Sequence, residues 1–455
     1  MKMVNVKLSS QRLSALRALK ITRLLFLNIS LLLTPSLSLA VENKTKLTPF
    51  GAEFAGNTDG SIPEWQGGNR NIPDIDKKLR DSQRLYQIDS NNLDQYKKQL
   101  PHGLAMLINQ YPDTMKVNVY PSFRTAYYPE WVYGFAKKNI TASNEINNSV
   151  TGTFPAPPFI HTNQGNRLVW NHLLTYKGVY TVLRTREVTR RDTNKYITFN
   201  STISLYLSYY DRERGPSDID QPYIYYLSKI RSPSRYAGGI LLLHEQVNAS
   251  LRPRQGWVYL PGQRRVMRIP GVDFDSPMQL SESVRFADEI NLFNGSIDHY
   301  NWRTIEKKEL VIPYNNIILS DKLSRSDFED KHLMTKHHLA PRFLRYEKHR
   351  VWVVEGILKT GKRHAYKKRR FYIDEDSWLI LLAENYDKND ELWRVSISYS
   401  KQYHQLPGVF TVADTFHDLK EMVYFFQGIE KLTSKEELPP KAGFMPSALR
   451  RNAIR

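Results

Sequence analysis

Lys367-Lys368-Arg369-Arg370 sets four cations side by side on a stretch that alternates as a β-strand. A strand turns successive side chains to opposite faces, so two of the four point each way. One pair must then face whatever the sheet encloses, where an unpaired charge is costly. Either internal carboxylates pair with these cations, or Lys368, Arg369 and Arg370 line a mouth that meets an anionic group or a partner. Arg264, Arg265 and Arg268, just after Pro261-Gly262, offer the same chemistry at a second place. Aromatic side chains are the other reactive surface. Trp257, Tyr259, Trp352, Tyr366, Phe371, Tyr372, Trp378 and Trp393 all fall on alternating segments. Most such rings are ordinary core. Where a curved sheet carries more aromatic surface than its helices can cover, a pocket for an acyl or other apolar ligand remains. Trp257, Tyr259, Trp352, Phe371, Trp378 and Trp393 are the expected lining.

Catalytic and metal chemistry leave no comparable pattern. The 12 histidines are scattered. His337 and His338 are adjacent and diverge on either kind of element, and no His-Glu-x-x-His occurs. There is no Gly-x-Ser-x-Gly elbow and no cysteine to act as a nucleophile. Asp374-Glu375-Asp376 reads as a solvated turn between two strands, although paired-carboxylate hydrolysis is the chemistry such residues would serve elsewhere. No catalytic residue, metal or cofactor is expected, and an envelope hydrolase is the least favoured class.

The elements that must position these groups are mostly strands. A helix is expected from Asn92 to Leu100, then a second one opened by Pro101, and a short one from Leu168 to Tyr176. Tyr111 to Trp131, rich in aromatics, is expected over a sheet edge. Ile203, Leu205 and Leu207 close an apolar series that alternates with polar residues from Ile197 onward, a clear strand. Val179–Val188 and Ile240–Val247 are further strands, and Gly256–Leu260 with Arg264–Ile269 forms a hairpin around a type II turn at Pro261-Gly262. Arg350–Leu358, His364–Ile373, Trp378–Tyr386 and Leu392–Tyr399 follow one another with tight turns, an antiparallel meander. Phe416, Leu419, Met422, Val423 and Phe426 recur at helical spacing, so a covering helix is expected from Asp414 to Phe426. The tail after Leu432 reads as polar, basic and frayed.

Bulk properties place the chain. Six basic residues, Lys2 to Arg23, precede the apolar run Leu24–Leu33 and a small-x-small pattern at Ser38-Leu39-Ala40, the layout of a secretory signal peptide. Its removal would leave 415 of 455 residues and lower the formal charge from +19 to +13. Outside the cytosol the polyanions that such a charge meets are lipid head groups and envelope glycans rather than nucleic acid, so peripheral membrane contact is compatible with it. With no cysteine, burial rather than disulfides supplies stability, and no lipid anchor can be attached at the cleavage site. A diffusible periplasmic protein is expected.

Several motifs carry a resemblance to a known family: Leu47-Thr48-Pro49-Phe50-Gly51-Ala52-Glu53, Gly60-Ser61-Ile62-Pro63-Glu64-Trp65, Trp257 to Val266, Val311 to Asn316 and Arg369 to Trp378. Over about residues 47–403 the chain resembles the uncharacterised Gram-negative envelope proteins labelled outer-membrane lipoprotein-sorting-protein-like. The resemblance implies an α+β fold like that of LolA and LolB, an incomplete antiparallel barrel covered by helices, here with a long N-terminal extension. It implies a carrier for a lipid-like ligand. It also implies, by association, a partner such as a resistance-nodulation-division exporter or an outer-membrane protein, for which this chain would be a structural adaptor. The expected organisation is a signal peptide (1–40), an extension with short helices (41–165), the half-barrel (166–430) and a basic tail (431–455).

Overall fold

The computed structural model describes residues 46–68, 74–191, 196–213, 222–247, 252–269 and 274–454. The expected export segment lies outside them. The N-terminal part is a layer of short elements: α1 (Ile75–Asp81), β1 (Tyr86–Ile88), α2 (Leu93–Tyr96), α3 (His102–Gln110), β2 (Val117–Val119), α4 (Glu130–Ala142), the hairpin β3 (Asn144–Ile146) and β4 (Ser149–Thr151), and α5 (Gly165–Leu173). Pro101 and Pro129 stand immediately before α3 and α4, where a fixed φ and a missing N–H cost a helix little. Gly103 lets α3 lie directly on the sheet, since a Cβ there would come within 3.0 Å of both Val395 methyl groups.

Two meanders build the sheet. The first comprises β5 (Tyr180–Arg190), β6 (Thr198–Tyr206), β7 (Ile224–Ser232), β8 (Ile240–Glu245), β9 (Gln255–Leu260) and β10 (Arg265–Ile269). The second comprises β11 (Tyr300–Pro313), β12 (Tyr346–Leu358), β13 (Lys368–Asp374), β14 (Ile380–Tyr386), β15 (Leu392–Tyr403), β16 (Gly408–Asp418) and β17 (Val423–Lys435), with α6 (Ile317–Leu323) and α7 (Asp330–Leu333) between β11 and β12. β17 pairs antiparallel with β5 and fuses the two meanders into one 15-stranded sheet that also takes in β1 and β2. The sheet is not closed: β10 pairs with β9 and β11 with β12, and the two do not pair with each other. This is the expected unclosed, curved antiparallel sheet with helices. The N-terminal aromatic stretch meets it as expected, β2 joining β12 at Tyr346.

Three expectations are corrected. Residues 414–426 are not a helix but the end of β16, a turn and the start of β17. Every residue of β16 is buried, so both faces of the strand are covered and the helical spacing of its apolar residues is incidental. The reversal is set by Asp418, whose Oδ1 accepts from the Lys420 and Glu421 amides, and by Met422 at φ +53°. The Pro261 turn is a single 3₁₀ turn with the positive φ at Arg264, not a type II turn with it at Gly262. The tail is not frayed. β17 runs to Lys435, and the chain then crosses the sheet to α8 (Leu449–Ile454). There Phe444 and Leu449 are buried with Tyr206, Tyr225, Leu242 and Tyr259.

Alternation divides β5–β8 between two apolar layers. Tyr206, Tyr225, Leu227, Ile240 and Leu242 face the C-terminal tail. Leu183, Ile203, Tyr226 and Leu243 face the other way and meet Leu406, Phe410, Ile429 and Leu432. The tail fills the first layer. The second is not completely filled.

Candidate functional site: an apolar cavity with buried cations

The unfilled layer is a cavity. Its wall is built from i, i+2 pairs on neighbouring strands: Leu183 and Thr185 on β5, Ile203 and Leu205 on β6, Ile224 and Tyr226 on β7. Phe410 and Ile429 come from β16 and β17, and the segment from Arg285 to Asn294 covers the opening along with Leu173. About 90 Å³ is open to the centre of a water-sized sphere. This is well above the ~10–15 Å³ that a single water needs: room for a few waters, too little for a whole diacyl lipid and enough for one short chain segment.

Four charged side chains reach this largely hydrocarbon surface. Lys177 follows α5 in a turn made possible by Gly178 at φ +86°. Its Nζ donates to the carbonyls of His172, at 3.0 Å, and Leu173, at 3.4 Å, in the last turn of α5. Burial lowers its pKa to about 7. Arg285 is 3% exposed and donates to Gln427 Oε1 at 3.3 Å, while its Nε has no partner. Glu245 is bound by Arg254 at 2.8 Å. Asp414 accepts from Thr411 Oγ1 at 2.7 Å, and burial raises its pKa toward the neutral form.

His172 holds the cover in place. Its Nδ1 accepts the Ile380 amide at 3.0 Å, so Nε2 carries the proton and donates to the carbonyls of Asn291 and Phe293, each at 3.1 Å. Burial, and then the neighbouring Lys177, lower its pKa to about 3, so the ring is neutral and acts as a structural pin rather than a proton carrier.

None of the twelve side chains singled out in the sequence lines this cavity. Trp257 and Tyr259 lie in the opposite layer, Trp257 against His244 with ring centroids 4.8 Å apart. Phe371 stacks on Trp302, and Trp378 is buried with its Nε1 donating to the Phe50 carbonyl at 3.1 Å. Trp352 is half-buried under Lys307, and Trp393 donates to Asp418 at 2.9 Å. The cations separate too. Arg264 in the turn and Arg265 and Arg268 on β10 are exposed. Arg369 is fully buried and bound to Asp288 at 2.5 Å, Arg370 pairs with Glu355 at 2.9 Å, and Lys368 lies 3.6 Å from Asp390. Internal pairing, not a mouth, accounts for the β13 cations.

Asp374-Glu375-Asp376 is not a solvated turn. All three are buried, in an ion network that locks the N-terminal layer to the sheet. Arg124 binds Asp376 through two hydrogen bonds, at 2.9 and 2.7 Å. Lys307 and Arg350 reach Glu375. His349 lies between Glu347 and Asp374, at 3.3 and 3.5 Å. Burial lowers the His349 pKa, but the two carboxylates outweigh it and bring it up to about 9. His349, Asp374 and Asp376 bring potential metal-ligand atoms within 4.8 Å of one another. Protonated His349 and the Arg124 guanidinium already supply the positive charge there.

Residues 87–450 match the family described as protein of unknown function DUF1329. The chain belongs to that family. An uncharacterised Pseudomonas aeruginosa protein, PA3922, is 34% identical over 427 residues, covering 90% of this chain and 92% of that one. A DUF1329 crystal structure from Desulfovibrio piger is similar at 16% identity and TM-score 0.43, covering 60% of this chain and 92% of that one. A putative outer-membrane lipoprotein-sorting protein domain from Vibrio parahaemolyticus is similar at 15% identity and TM-score 0.43, covering 63% and 98%. The resemblance read from the motifs is borne out. The DUF1329 segment contains the whole cavity lining, from Leu173 to Ile429, and the buried ion network from Arg124 to Asp376. The motif at Leu47–Glu53 lies before it, and Phe50 nevertheless stacks on Tyr128 inside it at 4.3 Å.

Proposed function

We propose that the protein is a non-catalytic carrier that binds a lipid-like hydrophobic ligand between β5–β7, β16–β17 and the 285–294 segment, and that it works in envelope lipid or lipoprotein transport. The observation that carries this reading is the unfilled apolar cavity. A sheet that packs one face tightly under its own C-terminal tail leaves the other face of the same strands hollow. Each methylene buried there gains ~0.8 kcal/mol, so a six-carbon segment gains about 5 kcal/mol before the costs of ordering. The leader-like residues 1–40 support a periplasmic location, and among the described residues no helix is long and apolar enough to cross a membrane. The test is mass spectrometry of solvent extracts from protein purified out of the cell envelope without detergent. A stoichiometric lipid-like species is expected. An extract matching that of a cavity-filled variant would refute the reading.

A second reading, an adaptor docked on an envelope exporter, draws on β10. This edge strand is exposed at Arg265, Val266, Met267 and Arg268, and an open edge can accept a partner strand. Cross-linking from a probe at Met267 in cells would report such a partner.

A further inference from the structure

We infer that the cavity takes a single-chain amphiphile with an anionic head, a carboxylate or a phosphate monoester, whose head is met by Lys177 and Arg285. This rests on the proposed ligand-binding role and names the ligand's chemistry. Among the described residues most buried cations are matched. Arg124 has Asp376, Arg254 has Glu245, Arg345 has Glu347, Arg369 has Asp288 and Arg394 has Asp418, each at 3.0 Å or less. Lys177 and Arg285 differ. Among the described residues neither has a carboxylate within the 4.0 Å of an ion pair, and both line the apolar cavity. Lys177 has only two carbonyls, and Arg285 a single long bond to Gln427, an unpartnered Nε, and the Phe416 and Phe425 rings at 5.4 and 5.0 Å. Burying two cations without counter-charge is costly, and an anion brought in by a ligand would remove that cost.

The acidic groups nearby do not serve as substitutes. Glu245 is bound to Arg254 and also accepts from Asn294. Glu187 is beyond ion-pair distance of Arg285, accepting instead from Gln427 at 2.9 Å and from Thr185 at 3.1 Å. Asp414 is beyond ion-pair distance of Arg285 and accepts instead from Thr411 Oγ1 at 2.7 Å; burial raises its pKa, against the pull of the Arg285 charge. A hydrocarbon wall beside unmatched cations is complementary to a carboxylate or phosphate on a chain. It is not complementary to a neutral lipid or to an amine.

Calorimetric titration with four ligands of equal chain length tests this: dodecanoate, dodecyl phosphate, dodecanol and dodecylamine at neutral pH. At least one of the two anions is expected to bind ten-fold or more tighter than dodecanol, with dodecylamine weakest. The better anion identifies the head group, and inorganic phosphate alone is expected not to bind. The double variant Lys177→Met, Arg285→Met should lose the preference for the anion and keep dodecanol within about threefold. Arg285→Lys should retain most of the preference. Equal binding of acid and alcohol by the wild type, or a preference that survives the double variant, overturns the inference while leaving the carrier reading intact. Failure of all four chains to bind overturns the carrier reading itself. If the double variant does not fold, the wild-type order of the four ligands decides alone.

Discussion

Replacing Arg369 by Met separates structural charge from ligand-binding charge. Arg369 is fully buried, with Nη1 on Asp288 at 2.5 Å and Nε donating to Asn385 Oδ1 at 3.0 Å. Its guanidinium also lies 5.0 Å from the Phe293 ring. Asp288 is buried and held ionised, although burial opposes this, by Arg369 and by His364 at 3.1 Å. Glu289 beside it is fully buried as well. Methionine keeps the apolar contacts of the arginine stem and removes the charge, which leaves the buried Asp288 without its guanidinium partner. Breaking a buried pair from one side costs about 3–5 kcal/mol, a large part of the ~5–15 kcal/mol that holds most proteins folded. Urea unfolding should show the midpoint falling with little change in slope. The double variant Arg369→Met, Asp288→Asn should recover a substantial part of the loss, because the stranded carboxylate is gone. The preference for an acid over an alcohol should be unchanged in protein that remains folded. A loss below ~1 kcal/mol, or a stable Arg369→Met protein that no longer prefers the acid, would refute the reasoning.

Filling the cavity should block it without unfolding the chain. Leu205→Trp is expected to abolish dodecanol binding in the same titration while costing about 1–3 kcal/mol in urea. Two buried bases should give opposite pH dependences. His349 is raised to about 9, so its stabilisation is full below 6.5 and is lost as pH rises through 9; the stability gap between wild type and His349→Gln should shrink over that range. Lys177 is lowered to about 7, so the unfolded chain binds the extra proton between 7 and 10.5; the gap between wild type and Lys177→Met should grow in the wild type's favour there, in ligand-free protein. Truncation after Lys435 removes Phe444 and Leu449 from the layer over Tyr225, Leu242 and Tyr259. The shortened protein should self-associate in sedimentation analysis, because a contiguous apolar sheet face is uncovered.

Much of the fold was legible in the sequence because strands with one covered face alternate. The series ending in Ile203, Leu205 and Leu207 announced β6, and the turns after Leu358, Ile373 and Tyr386 announced the second meander. The β16–β17 hairpin was misread because both its faces are buried, which erases the period that distinguishes strand from helix. The site was less legible, for a related reason. Aromatic residues were expected to line a pocket, but large rings fill space, and here they fill the core around Phe371 and Trp378. The cavity is walled mostly by ordinary aliphatic positions of β5–β7, and the signal for it was already in the alternation at Ile203 and Leu205. Lys177 carried no pattern of its own. Its burial follows from the turn at Gly178 and from the end of α5, which no local spacing encodes. The cations of β13 were correctly seen to need partners, but Asp288 and Glu355 lie 81 and 15 residues from theirs, beyond what local pattern can assign.

The most direct measurement is native mass spectrometry of detergent-free protein from the cell envelope, wild type beside Leu205→Trp. The wild type is expected to carry a releasable adduct of lipid-like mass that the variant lacks. Identical spectra for the two, with no bound species after exposure to an envelope lipid extract, would contradict the claim that this cavity carries a hydrophobic ligand.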